Sequence, residues 1–259
     1  YALENKLTLL QPTNLKDEVF LTELKALNAN LQIVVAFRML PKVVWEMPSL
    51  GTFNLHASLL PNYRGAAPIN WAIINGETKT GVTTFFIDDK IDTGAIILSS
   101  EIEISENENA GNLHDKLMNL GCETVVQTLI LIENENAETT NQSDNDGIKT
   151  AYKLDKDNCK IDWNKSGIEI HNLIRGLSPY PAAWCFFNDK DLEWNVKIYD
   201  ALFIAEEHNL IIGKIITSKN TLISNFDFTP NLTLLQIENP KKSNVKYISD
   251  LLEEEDTIY

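Results

Sequence analysis

Leu31-Gln-Ile-Val-Val-Ala-Phe37 is a nearly continuous apolar run that contains three β-branched residues in succession. Such a run is typical of a strand that is buried on both faces of a parallel sheet. Before it, Leu15–Leu27 repeats apolar residues at a spacing near 3.6 and predicts an amphipathic helix. After it, we predict a short helix from Pro41 and a strand over Gly51–His56. Strand and helix signals therefore alternate around this run, as they do in α/β proteins.

The alternation extends over the first 136 residues and predicts an α/β domain with a mainly parallel sheet. The other elements predicted in this part are a strand over Leu7–Leu10, a helix over Pro68–Asn75, a strand over Val82–Ile87, an edge strand over Gly94–Ile104 and a long helix over Asn109–Glu133. Residues 137–150 are polar and lack periodicity, which indicates a linker or an exposed loop.

The pattern changes after residue 150. A helix is predicted over Ser166–Arg175, with Ser166 as its N-cap, and short strands follow at intervals of about 8–12 residues. These strands are Trp184–Phe187, Val196–Ile204, Leu210–Ile216, Thr221–Ser224 and Leu232–Ile237, and a helix over Val245–Leu252 comes after them. The spacing is typical of a small all-β barrel or sandwich. We therefore predict one domain over 1–136, a linker over 137–156 and a second domain over 157–259.

The charge of the chain is unevenly distributed. The 259 residues carry a formal charge of −15, which taken whole argues against a simple nucleic-acid binder. Residues 100–146 account for −10 and residues 250–259 for −5, so the rest of the chain is close to neutral. If RNA is bound, we expect the acidic segment 100–146 to lie on the face opposite the functional cleft.

The cysteines and the apolar runs limit the cellular setting. The three cysteines stand in separate contexts without a CxxC or Cys/His spacing, so neither a disulfide framework nor a zinc site is supported. No apolar run reaches the roughly 18 residues that a membrane span needs. These features predict a reduced cytoplasmic protein with no membrane partner and no metal.

Asn54 and His56 form the first candidate site. They lie two residues apart at the end of a predicted strand, so their side chains point to the same face. Ligands of open parallel sheets bind beyond the carboxyl ends of the strands. An amide and an imidazole placed there could hold a developing oxyanion. The alternative is that the pair ends the strand and caps the following turn.

The loop Ile87-Asp-Asp-Lys-Ile-Asp-Thr-Gly94 is the second candidate. Asp92 could orient His56 or accept a proton. The Asp-Thr-Gly string is also found in aspartic proteases, but that chemistry needs two carboxylates that share a proton, and the string occurs once. An Asx-type turn is the structural alternative.

Several strings together resemble a known family. They are Asn54-Leu-His56, Ser58-Leu-Leu-Pro61, Arg64-Gly-Ala-Ala-Pro68, Gly81-Val-Thr83, Asp92-Thr-Gly94, Ile161-Asp-Trp163 and Ile174-Arg-Gly-Leu-Ser-Pro-Tyr-Pro181. In these strings the chain resembles the 10-formyltetrahydrofolate-dependent formyl transferases, and most closely their tRNA branch. The resemblance implies a Rossmann-like formyltransferase domain followed by an OB-like β-barrel domain that binds tRNA.

The same resemblance implies an activity and a set of roles. The formyl group of 10-formyltetrahydrofolate, a co-substrate, would be transferred to the α-amine of methionyl-tRNA by a monomeric enzyme. Asn54 and His56 would stabilise the oxyanion, each by about 3 kcal/mol of barrier, and Asp92 would orient His56 and help to move the amine proton. The residues expected to bind folate are Phe37, Arg38, Met39, Leu40, Ser58, Leu59, Leu60 and Pro61, and those expected to contact tRNA are Arg64, Lys241 and Lys242.

Some alternatives stay open at this stage. Arg38 could face solvent instead of the folate tail, and Arg64 could satisfy carbonyl groups of its own loop. Formyl transfer to an amino sugar nucleotide, hydrolysis of formyl-folate and a non-catalytic binding module are the competing functions. Because the family begins with a strand–helix–strand unit, we also expect roughly fifty residues to be missing before Tyr1.

Overall fold

The computed structural model describes residues 1–36, 39–143, 147–189, 192–206, 215–218, 221–226, 232–237 and 257–258. The helices are α1 (Glu18–Ala26), α2 (Lys42–Trp45), α3 (Pro68–Ile74), α4 (Ala110–Glu133) and α5 (Gly167–Leu177). The strands are β1 (Gln32–Val35), β2 (Thr52–His56), β3 (Arg64–Gly65), β4 (Lys79–Phe86), β5 (Ile96–Glu103), β6 (Thr150–Ala151), β7 (Ala183–Asp189), β8 (Leu192–Ile198), β9 (Ala201–Glu206), β10 (Ile215–Ser218), β11 (Thr221–Phe226), β12 (Leu232–Ile237) and β13 (Thr257–Ile258). In these ranges, none of the helices combines the length and the apolar composition that crossing a bilayer requires.

The chain forms two compact units. The first unit contains Tyr1–Arg64, Gly81–Glu101 and Asn119–Lys149. The second contains Gly65–Thr80, Ile102–Met118 and Thr150–Tyr259. The predicted catalytic side chains all belong to the first unit.

The sheet of the first unit has the strand order β1-β2-β4-β5. β1 is parallel to β2, with Ile33 opposite Phe53, whereas β4 runs antiparallel to β2, with Phe85 opposite Asn54. The predicted α/β alternation is confirmed, and the sheet is mixed. The sequence pattern did not reveal the direction of β4, because a strand buried along nearly its whole length has the same continuous apolar pattern in either direction.

The two edges of this sheet differ in how well the sequence predicted them. β5 is an edge strand with alternating exposure, as its pattern indicated. β1 is the other edge of the described sheet, and Ile33 and Val35 are 42% and 54% exposed, so the prediction of burial on both faces is wrong. The predicted strand over Leu7–Leu10 is also wrong: these residues form no strand, and Leu7 and Leu9 are exposed. An apolar run indicates strand propensity, but a strand needs a paired neighbour to form.

The helices predicted within the described residues are present, and side-chain caps set the first residues of α1 and α5. Asp17 Oδ1 accepts hydrogen bonds from the backbone N–H groups of Val19 and Phe20, so α1 begins at Glu18 and not at Leu15. Ser166 caps α5 in a capping box with Glu169, as predicted for that serine.

The C-terminal half of α4 covers one face of the first unit's sheet. A Cβ atom on Gly121 of this helix would lie 2.8 Å from Leu55 Cδ2, so the two elements are in close contact. The Thr128 hydroxyl lies 2.7 Å from that of Thr84 on β4. Leu55 lies between Asn54 and His56 in β2 and points to the opposite face. The C-terminal half of α4 therefore packs on the face of the sheet opposite Asn54 and His56.

The second unit is built around α5. Its core consists mainly of the buried residues Cys159, Ile161, Trp163, Ile170, Ile174, Leu177, Ala183, Trp184, Cys185, Ile198 and Ala201. Helix α3 packs closely against α5, because Asn70 Nδ2 donates to the Gly176 carbonyl at 2.7 Å and a Cβ atom on Gly176 would lie 2.7 Å from the side chain of Ile74.

The strands of the second unit form two antiparallel sheets with the orders β10-β11-β12-β9 and β13-β7-β8. The strand predicted over Val196–Ile204 is interrupted, because Asp200 Oδ1 accepts from the Ala201 N–H at 2.9 Å and separates β8 from β9. The first residues of the strand predicted over Leu210–Ile216, and the helix predicted over Val245–Leu252, lie outside the described residues.

Candidate active site

β2 places Asn54 and His56 on the same face of the sheet. His56 is 6% exposed, and its Nε2 lies 2.8 Å from the backbone carbonyl oxygen of Tyr63. Because a carbonyl only accepts hydrogen bonds, Nε2 carries a proton and donates it to Tyr63. This bond fixes the orientation of the imidazole ring.

Asp92 lies on the other side of the same ring. Its Oδ2 is 3.8 Å from His56 Nδ1, and both side chains are largely buried, with exposed fractions of 16% and 7%. The distance is longer than a hydrogen bond, so the two groups form a close charge pair when the imidazole is protonated. The structure thus brings together the three side chains that the sequence singled out as catalytic.

The loop that carries Asp92 uses its three aspartates differently. Asp88 accepts from the Lys90 N–H at 2.9 Å and from the Thr93 hydroxyl at 2.8 Å, so the predicted Asx-type turn belongs to Asp88. Asp89 is exposed and lies 3.7 Å from the ammonium group of Lys42. Asp92 itself has a φ of 55° and turns its carboxylate toward the imidazole.

Gly94 ends this loop at a point where the backbone passes very close to another strand. A Cβ atom at this position would overlap the carbonyl oxygen of Phe86. The Asp-Thr-Gly string therefore reflects a close backbone approach and not a protease dyad.

Asn54 supplies a polar atom that the fold leaves unused. Its Oδ1 is buried and has no hydrogen-bond partner among the residues that the structure describes. A buried acceptor without a partner costs about 1–3 kcal/mol. Such an atom beside an imidazole and a carboxylate indicates a ligand-binding position.

The predicted folate-binding loop is held from inside the protein. Thr83 Oγ1 donates to the Ser58 carbonyl at 2.7 Å and accepts from the Leu60 N–H at 3.2 Å. The Ser58 hydroxyl donates to the Asn62 carbonyl at 2.7 Å, so it is used within the loop. The Gly-Val-Thr83 string thus has a structural purpose, which is to fix the shape of residues 58–61.

The other predicted binding residues differ in position. Leu59, Leu60 and Pro61 lie on the loop that follows His56. Met39 is 71% exposed and Leu40 is partly exposed. Phe37 and Arg38, predicted for folate, and Lys241 and Lys242, predicted for tRNA, lie outside the described residues.

Arg64 is bound to a residue that the sequence analysis missed. Its Nε and NH2 atoms lie 3.0 and 2.8 Å from Gln142 Oε1. Gln142 belongs to the polar stretch 137–150, which has no periodicity, so no pattern marked it. Tyr63 was missed as well, because its contribution comes from a backbone carbonyl.

The expectation that the whole acidic segment 100–146 lies opposite the site is not met. Residues 119–133 of α4 pack on the face opposite Asn54 and His56, whereas Gln142, near the end of the segment, contacts the Asp92 loop. The described ranges contain no group of three or more His, Cys, Asp or Glu side chains placed to hold a metal ion.

Two family models match the chain: Formyl transferase over residues 2–129, and Formyl transferase, C-terminal domain, over residues 153–249. The methionyl-tRNA formyltransferase of Flavobacterium johnsoniae is 76% identical over 222 residues, which are 86% of this chain and 70% of the relative. The chain belongs to the formyl transferase family. Another formyl transferase, the methionyl-tRNA formyltransferase of Bacteroides thetaiotaomicron, is 47% identical over 250 residues, which are 95% of this chain and 78% of the relative.

Solved structures share the fold of this chain. An N-formyltransferase from Helicobacter canadensis, in complex with folinic acid and dTDP-3-aminofucose, aligns with a TM-score of 0.66 at 22% identity over 92% of this chain and 81% of its own. HypX from Aquifex aeolicus, in complex with tetrahydrofolic acid, aligns with a TM-score of 0.61 at 18% identity over 85% of this chain and 38% of its own. The predicted family resemblance is confirmed.

Proposed function

We propose that this formyl transferase moves the formyl group of 10-formyltetrahydrofolate to the α-amine of methionyl-tRNA. The observation that carries the proposal is the convergence of Asn54, His56 and Asp92 on one face of the sheet, with His56 between Tyr63 and Asp92. The relatives with 76% and 47% identity bear the name of this activity.

The geometry suits attack of an amine on a formyl carbon. The carbon becomes tetrahedral and its oxygen gains negative charge, so donors aimed at that oxygen lower the barrier. His56 donates Nε2–H to Tyr63, and in the doubly protonated form it keeps Nδ1–H for the oxyanion. Asp92 carries the balancing negative charge and takes the proton that the amine releases, directly or through water. The tetrahedral intermediate then collapses, the bond between the formyl carbon and N10 of the folate breaks, and the proton passes to N10 of the departing tetrahydrofolate.

Asn54 fits the same reaction. Its amide N–H group can donate to the oxyanion, and its buried Oδ1 can accept an N–H of the attacking amine. One side chain would thereby satisfy both reacting partners and hold them in line.

The co-substrate fits the loop after His56. The 10-formyltetrahydrofolate molecule supplies the activated formyl group, and Ser58, Leu59, Leu60 and Pro61 would lie along its flat ring system. We also propose Phe37, Arg38, Met39 and Leu40 for folate binding. Because Thr83 fixes the Ser58 carbonyl and the Leu60 N–H, this loop is shaped before any ligand binds. We assign no metal to the reaction.

The tRNA substrate requires basic contacts. We propose Lys241 and Lys242 for the phosphate backbone and Arg64 for the aminoacyl end. Nε and NH2 of Arg64 are bound to Gln142, which holds the guanidinium beside the Asp92 loop. We propose that the antiparallel sheets of the second unit close into an OB-like barrel. We also propose that the chain consists of a catalytic domain over 1–136, a linker over 137–156 and a tRNA-binding domain over 157–259. We also propose a monomer that acts in the cytoplasm.

One assay tests the acceptor. The purified protein is incubated with 10-formyltetrahydrofolate carrying a labelled formyl group and with methionyl-tRNA, an amino sugar nucleotide or water alone. We expect label on methionyl-tRNA, and label found on another acceptor instead would overturn the assignment. In the same assay, the exposed His114→Ala variant should transfer label as the wild type does, and it is the control for replacement of His56 by alanine.

A further inference from the structure

Gln142 joins two parts of the candidate active site that are far apart in sequence. Its Nε2 donates to the carbonyl oxygens of Asp92 and Gly94, at 3.0 and 2.8 Å. Its Oε1 accepts from Nε and NH2 of Arg64, at 3.0 and 2.8 Å. Both ends of one amide are therefore saturated, with the Asp92 loop on one side and the loop after His56 on the other.

The bonds to Asp92 and Gly94 act on a strained part of the backbone. Asp92 has a φ of 55°, in the left-handed region that residues with a side chain adopt at a cost. In this conformation its carboxylate Oδ2 lies 3.8 Å from His56 Nδ1. The carbonyl of Asp92 and the carbonyl of Gly94 are both held by the same amide group, which fixes the peptide planes Asp92–Thr93 and Gly94–Ala95.

We propose that Gln142 is a positioning residue for the reaction, which holds Asp92 in the conformation that faces His56. The inference rests on the proposed formyl transfer, in which Asp92 balances the imidazolium and takes the amine proton. Gln142 itself contacts backbone carbonyls and Arg64, so it acts through Asp92 and not on the substrate.

The chemistry of the site explains why a glutamine is required. The Asp92 side of the site needs a donor of two N–H groups, and the Arg64 side needs an acceptor. A glutamate in the same place would still accept from Arg64, but its carboxylate would face two carbonyl oxygens and could not donate to them. Gln142→Glu therefore keeps the hydrogen bonds from Arg64 and removes those to the Asp92 and Gly94 carbonyls, whereas Gln142→Ala removes both sets.

The test measures kcat, the KM for 10-formyltetrahydrofolate and the melting temperature of wild type, Gln142→Ala and Gln142→Glu. The matched control is Gln127→Ala, an exposed glutamine on α4. We expect both Gln142 variants to lose at least about tenfold in kcat, because misplacement by about 1 Å can cost a hundredfold. We expect the KM to stay within about twofold and both Gln142 variants to unfold cooperatively at a lower melting temperature, because each leaves the two carbonyl oxygens without their donor. Gln127→Ala should match the wild type in all three quantities.

A Gln142→Glu variant with wild-type kcat would overturn the inference, since the donor side would then be dispensable. A loss of kcat that comes with an equal rise in KM would overturn it as well, because this result indicates general damage to the site. The ratio of variant kcat to wild-type kcat is measured with whichever formyl acceptor the wild type uses. If the wild type does not use methionyl-tRNA, the proposed function fails, and the role of Gln142 is still tested by this ratio.

A second readout does not depend on turnover. The side-chain ¹⁵N NMR signals of His56, assigned with His56→Gln, should shift in both Gln142 variants and stay unchanged in Gln127→Ala. If the His56 signals stay unchanged in both Gln142 variants, Gln142 does not position Asp92.

Discussion

The backbone carbonyl of Tyr63 accepts a hydrogen bond of 2.8 Å from Nε2 of His56, and this bond leaves Nδ1 as the imidazole nitrogen that faces Asp92. Tyr63 has a φ of 62°, a conformation that a residue with a large side chain rarely adopts. The Tyr63 N–H is bonded to the Lys149 carbonyl, which anchors this residue at its other end. A backbone carbonyl thus fixes the orientation of the His56 ring, and Nδ1 of the ring faces Asp92.

Replacement of His56 by alanine removes one of the two proposed oxyanion donors. We expect kcat to fall by about two orders of magnitude or more, while binding of the folate, measured by fluorescence titration or calorimetry, stays nearly unchanged. The comparison variant is His114→Ala, which removes an exposed histidine on α4. A His56→Ala protein with nearly full turnover would exclude this side chain from the mechanism.

Asp92→Asn keeps the size of the side chain and removes its charge. Since Asp92 balances the imidazolium and receives the amine proton in our proposal, we expect a loss of about 10²-fold or more in kcat. Asp89→Asn is the matched control, because Asp89 lies on the same loop, is exposed and pairs with Lys42. Equal activity of the two variants would show that the charge on Asp92 is not needed.

Periodicity and strand-end position predicted much of this site. The sequence pattern located β2 and β4, and the two-residue spacing of Asn54 and His56 placed both on one face. Tyr63 and Gln142 were not predictable in the same way. One contributes a backbone carbonyl, and the other reaches Asp92 across 50 residues of sequence. Both depend on tertiary packing, which a local pattern does not encode.

Burial was harder to predict than strand position. The run after Leu31 contains β1, but Ile33 and Val35 are exposed because β1 is an edge strand of the described sheet. The alternating pattern of β5, by contrast, correctly indicated an edge. An apolar sequence shows what a residue prefers, and the neighbouring elements decide whether it is covered.

Thr83 and Thr84 offer a test of the folate loop. Both are fully buried neighbours on β4; Thr83 bonds to the loop through Ser58 and Leu60, and Thr84 bonds to Thr128 on the opposite face. Replacing either by valine leaves buried partners unsatisfied and should lower the free energy of unfolding by about 1–3 kcal/mol. Only Thr83→Val should also raise the KM for 10-formyltetrahydrofolate. If both variants raise this KM equally, the hydrogen bonds from Thr83 to the loop are not the cause of the rise.

The three cysteines should react at very different rates. Cys122 is exposed on α4, whereas Cys159 and Cys185 are buried in the core of the second unit. Burial raises the pKa of the Cys185 thiol, so the reactive thiolate is scarce as well as inaccessible. In the folded protein we expect a thiol reagent to modify one cysteine rapidly, and in denaturant all three. Rapid modification of Cys185 in the folded state would contradict the described core.

His171 makes stability depend on pH. It is 5% exposed on α5, and burial, followed by the nearby Arg175 cation, lowers its pKa below the ordinary value of 6.5. Asp200 and Glu106 act in the opposite direction but do not reverse the shift. The unfolded chain therefore binds a proton at His171 at a higher pH than the folded chain does.

The sign of the effect follows from this difference. The contribution of neutral His171 to the free energy of unfolding is fully present above pH 6.5, and it is lost as the pH falls from that value toward the lowered pKa of His171. The unfolding free energy should fall there by at most about 1.4 kcal/mol per pH unit. His171→Gln cannot titrate in this range, so the difference in unfolding free energy between wild type and variant should shrink as the pH falls. Urea titrations from about pH 8 to about pH 5.5 measure it. Parallel curves for the two proteins would show that His171 keeps its ordinary pKa in the fold.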